Sequence, residues 1–302
     1  MVSTRNTNSM SDVTRPTRRI DRSQTVRTIP VKRKNKRMRR TLFALLGIIT
    51  IYFIAPLRTN ILILGTDDSP ERGSAGRTDT IILASVVPLQ PYIGMLSIPR
   101  DLWVTIPRVG EQRINTAYYF SELNQAGSGA DAAMETIREN FGVPVHYHVV
   151  IHMLGLVSVV DTLGGVDIHL DTQTGVYPAG THHLNGIQAL AFARDRSTSD
   201  DFSRMARAQV LVSAVLGKVL TPASWRDLPQ FVISLSRTVE TNIPVWQLPR
   251  LLFTLVRAPL FGVDSHTITR EMVTPFVTSG GAQVLLPNWE VINPLLEKMF
   301  GR

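Results

Sequence analysis

The chain has no cysteine in its 302 residues, which rules out both a disulfide framework and a thiolate metal site. It has no phosphate-cradling G-x-x-x-x-G-K-[ST] loop and no dinucleotide fingerprint, so nucleotide chemistry is not expected. A Ser-His-Asp arrangement and internal repeats are also absent. Basic charge is scarce over most of the chain, despite a formal net charge of +8. Residues 1–40 hold thirteen Lys and Arg against two Asp, leaving nineteen basic and twenty-two acidic residues for the remainder. A body that is net acidic does not carry the electrostatic footprint of a nucleic-acid-binding domain. Apolar residues make up 44% of the chain, ample for a buried core and incompatible with disorder throughout.

The basic leader is rich in Ser, Thr, Asn and Arg and is expected to be disordered. It ends in KRKNKRMRR at Lys32–Arg40, and seventeen uncharged residues follow, TLFALLGIITIYFIAPL, Thr41–Leu57. That pattern predicts a single uncleaved signal anchor at the short end of the spanning range. Positive charge placed inside makes the N-terminus cytoplasmic and residues 58–302 extracytoplasmic. The domain reading is therefore a tail over 1–40, an anchor over 41–57 and one catalytic domain over 58–302.

In the exported part, apolar runs predict strands from Asn60 to Gly65, Thr78 to Val87, Tyr92 to Ile98 and Asp101 to Ile106. Strands this close together pair antiparallel, because parallel neighbours need long crossovers. Helical spacing is seen at Ile114–Leu123, Asp131–Phe141, Met153–Leu163, Leu184–Ala193, Phe202–Leu220, Pro222–Thr238, Val245–Val256 and Pro287–Phe300. Further strands are expected at His146–His152, at Val166–Leu170 and near His266–Arg270. The fold class is α/β, a central mixed and largely antiparallel sheet flanked by helices.

Three segments gather charge where apolar strands end, the usual placement of a site on loops. Asp67, Asp68 and Asp79 flank a Gly-rich loop with Arg77, a set suited to a hard cation such as Mg²⁺ bridging to phosphate. For any one of these aspartates, a turn or capping role is the competing reading. Pro99 precedes Arg100 and Asp101, a candidate site pair or a surface ion pair. Arg113 is expected at a helix start, where a bound anion would favour it. The segment ARDRSTSDDFSRMARAQ places Arg194, Arg196, Arg204 and Arg207 around Asp195, Asp200 and Asp201. Guanidinium forks fit phosphate oxygens in pairs, so the cluster reads as a pyrophosphate clamp or as a solvated helix end neutralised by its neighbours. His146, His148 and His152 are assigned to packing or edge positions rather than to a metal, and His182 and His183 to an exposed turn.

Taken together, GTDDS at Gly65, GRTDT at Gly76, SIPRD at Ser97, RINTAYY at Arg113, LGGVDI at Leu163, HLNGIQALAFARDR at His183 and DFSRMARAQ at Asp201 resemble the LytR-CpsA-Psr family of cell-wall glycopolymer ligases. The motifs occur in the family's order, and VLLPNWEVI resembles its closing segment. The resemblance implies a membrane-anchored phosphotransferase that moves a glycopolymer from a polyprenyl-pyrophosphate carrier to peptidoglycan with Mg²⁺, or Mn²⁺ in its place. It implies Asp67 and Asp79 as metal ligands. It also implies a pyrophosphate clamp of Arg77, Arg100, Arg194, Arg196 and Arg204, with Arg207 and Gln209 beside it and Arg113 as an added candidate. Ala208 stands where the family's pattern has a glutamine. Asp79 and Asp101 are both candidates to accept the attacking hydroxyl's proton, with Arg100 stabilising charge. Hydrolysis of the lipid pyrophosphate, or a membrane-bound regulatory role, are the alternatives.

Overall fold

A computed structural model describes residues 36–55, 57–67, 76–88, 92–195, 201–221, 230, 233, 238–257 and 263–301. The chain divides into two units, Met1–Leu46 and Gly47–Arg302. The described part of the first is the start of helix α1, Lys36–Ile54, where Lys36, Arg37, Arg39 and Arg40 precede an exposed apolar run. Helix α1 keeps its charges in its first turns, so fourteen uncharged helical residues remain from Thr41 to Ile54. At about 1.5 Å per residue they span ~21 Å, short of the roughly 30 Å hydrocarbon core. Among the described residues no helix is long and apolar enough to cross a membrane.

The second unit is built on a meander. Strands β1 (Thr59–Asp67), β2 (Arg77–Val87) and β3 (Tyr92–Ser97) pair antiparallel in sequence. The chain then turns at Pro99 and leaves the sheet, so the expected fourth strand is found outside it. It forms instead a separate hairpin of β4 (Trp103–Ile106) and β5 (Gly110–Arg113). Helices α2 (Thr116–Asn124) and α3 (Gly129–Phe141) follow, then β6 (Tyr147–His152), parallel to β1. Next come α4 (Met153–Thr162), the ribbon of β7 (Val166–Leu170) with β8 (Gly180–Leu184), then α5 (Gly186–Arg194) and α6 (Asp201–Leu220). Strand β9 (Val239–Thr241), helix α7 (Leu248–Arg257), β10 (Val263–Thr267), the ribbon of β11 (Val273–Val277) with β12 (Gln283–Pro287), and α8 (Trp289–Phe300) complete the order. The helix expected over Pro222–Thr238 lies outside the described residues except at Gln230, Ile233 and Thr238, which are helical.

The main sheet has six strands in the order β10-β3-β2-β1-β6-β9, and only β1/β6 and β3/β10 are parallel. It is the mixed, largely antiparallel sheet expected. Both faces are covered, which is why its central strands are continuous apolar runs rather than alternating ones. Leu62, Leu64, Leu83 and Leu96 pack in one cluster with Tyr118, Met134, Phe141 and Phe300. The opposite face presents Ile82, Ala84, Ile93 and Met95, with Val212 of α6 and Leu255 of α7 against them.

Helix α5 starts at Gly186 rather than Leu184 because Asn185 forms a capping box. Its Oδ1 accepts the Gln188 N–H at 2.9 Å, and Gln188 Oε1 accepts the Asn185 N–H at 3.0 Å. A Cβ on Gly186 would lie 2.3 Å from the Val157 carbonyl oxygen, so glycine is what lets α5 approach α4.

Candidate active site

Strand β1 ends, β2 begins and β3 ends at one edge of the sheet, where β6 and β10 also end. At that edge the β1–β2 register slips. Gly65 lies opposite Thr80 and Thr66 opposite Thr78, which leaves Asp79 as the extra residue of a β-bulge. Bulges bend a strand and re-aim one side chain. Gly65 permits this one: a Cβ there would meet the Thr80 Cβ at 3.0 Å.

The side chain of Asp79 is 13% exposed and lies between two guanidinium groups. Arg100 Nη1 donates to its Oδ1 at 2.8 Å, and Arg204 Nη2 stands 3.6 Å from Oδ2. Arg100 Nε is 3.5 Å from Asp101 Oδ2, and Arg113 Nε is 3.3 Å from Asp101 Oδ1. These contacts form one row of alternating charge, Arg204–Asp79–Arg100–Asp101–Arg113, assembled from α6, β2, the turn after β3, and β5. Three guanidinium groups against two carboxylates leave the row with an excess positive charge. Arg113 is the last residue of β5, and not at a helix start as expected. Its Nη2 donates to the Gln283 carbonyl at 2.7 Å, which ties the row to β12.

The remaining candidates fall in different places. Arg77, exposed, faces Asp67 across the strand pair, and its guanidinium carbon lies 5.6 Å from the Tyr119 ring centroid, a cation–π distance. Arg194 is the exposed last residue of α5, where a cation complements the helix dipole. Arg207 is 1% exposed, and its Nη2 donates to the Asp195 carbonyl, pinning the end of α5. Burial lowers its pKa, the Asp195 charge opposes that, and Arg204 adds to it. Gln209 Nε2 donates to the Met95 and His266 carbonyls, each at 3.3 Å, and its Oε1 accepts from Thr267 Oγ1. Arg207 and Gln209 are thus interior ties of α6. Asp68, Arg196 and Asp200 lie outside the described residues, as does the side chain of Asp67.

One arrangement at this edge was not read from the sequence. Thr66 Oγ1 and His152 Nδ1 are 3.1 Å apart, and His152 Nε2 and Glu240 Oε1 are 3.0 Å apart. This chain of hydrogen bonds joins β1, β6 and β9 directly beside Asp67. Only the parallel pairing of β1 with β6, together with Glu240 eighty-eight residues further on, reveals it. His146 and His148 have other partners: His146 Nδ1 accepts the Asn60 N–H at 3.0 Å, and His148 Nδ1 lies 3.8 Å from Asp131. His182 and His183 belong to strand β8 rather than to a turn.

The row offers two carboxylates, Asp79 and Asp101, as hard-oxygen donors. Thr78, next to Asp79 in the chain, donates from Oγ1 to the Asn115 carbonyl at 3.4 Å, and the buried Asn115 Oδ1 has no hydrogen-bond partner among the described residues. No group of three or more His, Cys, Asp or Glu able to hold a metal occurs among the described residues. A self-contained cage is therefore not what these residues offer. One or two carboxylates open to a phosphate fit their chemistry.

Known proteins share both the sequence and the fold. The polyisoprenyl-teichoic acid–peptidoglycan teichoic acid transferase TagU of Oceanobacillus iheyensis is 34% identical over 248 residues, covering 80% of this chain and 75% of that protein. The protein of the same name from Enterococcus faecalis is 30% identical over 192 residues, 61% of each chain. The crystal structure of B. subtilis TagV superposes with a TM-score of 0.67 at 25% identity, covering 82% of this chain and 98% of that one. A structure of TagT bound to LIIa-WTA shares the fold, with a TM-score of 0.65 at 22% identity. Residues 55–288, which include the bulged aspartate and the whole charge row, match the LytR_cpsA_psr family, and the chain belongs to it.

Proposed function

We propose that this chain transfers a glycopolymer from a polyprenyl-pyrophosphate carrier to peptidoglycan, and that the row from Arg204 to Arg113 is where the pyrophosphate is held. The observation that carries the proposal is Asp79, raised by a bulge between two arginines at a sheet edge. Relatives named as teichoic acid transferases support the reaction class.

Phosphoryl transfer needs charge neutralisation and alignment more than covalent help. The row supplies both. Arg100 and Arg204 are held by a carboxylate before substrate arrives, so their forks are ordered in advance, which reduces the entropy lost on binding. Asp79, with Asp67 across the loop, would hold Mg²⁺, which when bound neutralises charge on phosphate oxygens. A sugar hydroxyl of peptidoglycan attacks the glycan-linked phosphorus and the P–O bond to the lipid phosphate breaks. The polyprenyl phosphate then leaves with the bridging oxygen, and the hydroxyl proton passes to a carboxylate of the row.

Thr41–Leu57 acts in this proposal as the membrane anchor, with the basic leader cytoplasmic and residues 58–302 outside; its shortness against the hydrocarbon core is accommodated by local thinning of the bilayer and by snorkelling of the flanking Arg39 and Arg40. Leu42, Phe43, Leu45, Leu46, Ile48 and Ile51 are all exposed along the helix, which suits a lipid surrounding, and four basic residues mark its N-terminal end.

The test is transfer of radiolabelled lipid-linked glycan to peptidoglycan by the full chain in nanodiscs with Mg²⁺. Wall-bound product from the parent, and a loss of a hundredfold or more in Asp79→Asn and Arg100→Ala, is the expected result. Parental rates in both variants would remove the row from the mechanism, and free phosphorylated glycan as the main product would mean that water is the acceptor.

A further inference from the structure

Helix α7 carries apolar residues on its outward side as well as its inward one. Arg250, Leu251 and Thr254 share the face turned to the protein, and all three are buried, Arg250 at 4% exposure. Leu248, Leu252 and Val256, spaced by four along the opposite face, are exposed, as is Phe253. Trp246, in the 3-10 turn that leads into the helix, is 70% exposed. A helix on a domain surface in water turns its apolar stripe inward. This one packs Leu251 and Leu255 inward and leaves a second apolar stripe outside, and a contiguous exposed apolar patch marks an interaction surface.

The buried polar groups show what the inward face does. Arg250 Nη2 donates to the carbonyls of Ala55 at 3.0 Å and Leu57 at 2.8 Å, the residues that follow α1. Thr254 Oγ1 donates to the Arg250 carbonyl at 3.0 Å. Helix α7 therefore grips the chain where the apolar segment enters the domain. Aromatic residues gather at the same level. Phe53 and Phe253 have ring centroids 5.3 Å apart, and the Tyr52 hydroxyl donates to the Trp246 carbonyl. At the rim, Arg257 stacks on Phe253 at 4.9 Å and donates to the Pro88 carbonyl at 3.2 Å.

We infer that the outward face of α7, Trp246 to Val256, docks on the bilayer surface, its apolar side chains at the boundary between headgroups and acyl chains. The inference rests on reading Thr41–Leu57 as the anchor. A helix clamped to the end of an anchor lies at interface depth, where Tyr and Trp are favoured and an arginine meets anionic headgroups. With two attachments, anchor and helix, the domain keeps a fixed orientation on the membrane.

A chain without cysteine makes the test direct. Single cysteines are placed at Leu252, Val256, Ile49 and Val176, the last an exposed residue between β7 and β8. Each full-length variant is nitroxide-labelled and reconstituted in phosphatidylglycerol–phosphatidylethanolamine vesicles. Electron paramagnetic resonance then compares accessibility to oxygen, which enters lipid, and to a nickel chelate, which stays in water. Labels at Leu252 and Val256 are expected to be more accessible to oxygen than to nickel, and Val176 the reverse. A water-like response at Leu252 and Val256 with a lipid-like Ile49 overturns the docking face and leaves the anchor standing. A water-like Ile49 removes the anchor, and this inference with it. Shielding of Leu252 from both reagents assigns the face to a second copy or another protein surface and likewise overturns the inference.

Discussion

Arg204 and Arg207 lie one turn apart on α6 and should fail in opposite ways when replaced by methionine. Arg207 is fully buried and its guanidinium satisfies the Asp195 carbonyl. Methionine fills much of the space and removes the charged donor from the half-buried Asp195 carbonyl, at a cost of about 1–3 kcal/mol. For a unit of this size each kcal/mol lowers the melting temperature by roughly 2–4 °C. Arg207→Met should therefore melt about 2–12 °C lower. Arg204 is partly exposed, and its 3.6 Å approach to Asp79 is too long for a strong hydrogen bond. Its loss, with Asp79 still paired to Arg100, should change stability by less than the loss of Arg207 does. In catalysis the order reverses: one charge-assisted contact to a phosphate is worth ~1.5–3 kcal/mol, so Arg204→Met should slow transfer by roughly ten- to a hundredfold. Thermal melts by circular dichroism and the glycan-transfer assay on the same preparations decide the matter. If Arg207→Met melts with the parent and is inactive, Arg207 is a substrate ligand and the reasoning from burial is wrong.

Gly65→Ala should cut transfer at least tenfold, because its new methyl group presses on the Thr80 Cβ and re-aims Asp79, and adding Thr80→Gly, which removes that Cβ, should restore most of the rate; no rescue would refute the bulge as the cause. Burial lowers the pKa of His146, whose Nδ1 accepts the Asn60 N–H only when neutral, and burial likewise lowers His148 against the nearby Asp131 and Glu240. A lowered folded-state value means their contribution is complete above the ordinary histidine pKa of about 6.5 and is lost as pH falls through the depressed values. Melting temperature should accordingly drop below pH 6.5, and drop less in the His146→Asn/His148→Asn double variant; equal slopes would contradict the assignment. Chelation with EDTA should abolish transfer and added Mg²⁺ restore it, with Asp79→Asn needing at least tenfold more Mg²⁺ for half-maximal rate; an unchanged Mg²⁺ requirement would exclude Asp79 as a ligand.

The meander was legible in the sequence because its strands are covered on both faces, so Ile61 to Leu64 and Ile81 to Ala84 form unbroken apolar runs. Strands β5, β8 and β11 were not legible. They belong to two-stranded ribbons held by pairing, and GEQR, GTHHL and VTPFV carry little apolar periodicity. For the site, strand-end charge singled out Asp79, Arg100 and Asp101, and the fold brings these three together. Arg113 was misplaced because RIN looks like a helix start, whereas pairing with Trp103 makes its arginine the end of a strand. The interior roles of Arg207 and Gln209 could not be read, since helical spacing alone does not say which side of α6 meets β3 and β10. Nor does composition reveal a bulge, which exists only as a mismatch between two strands.

Strand β2 also measures a distance. It runs from Asp79 in the charge row to Val87, beside the Pro88 carbonyl held by Arg257 of α7. Eight residue steps at about 3.3 Å place the two ends ~26 Å apart. If α7 rests on the membrane, the strand is a ruler: a headgroup seated at Arg100 stands more than a leaflet's depth, roughly 20–22 Å with headgroups, above the lipid. A carrier then reaches the row only by drawing that length of its tail out of the bilayer. The sheet face with Ile82, Ala84, Ile93 and Met95 offers that tail no open path, because Val212 of α6 and Leu255 of α7 cover it.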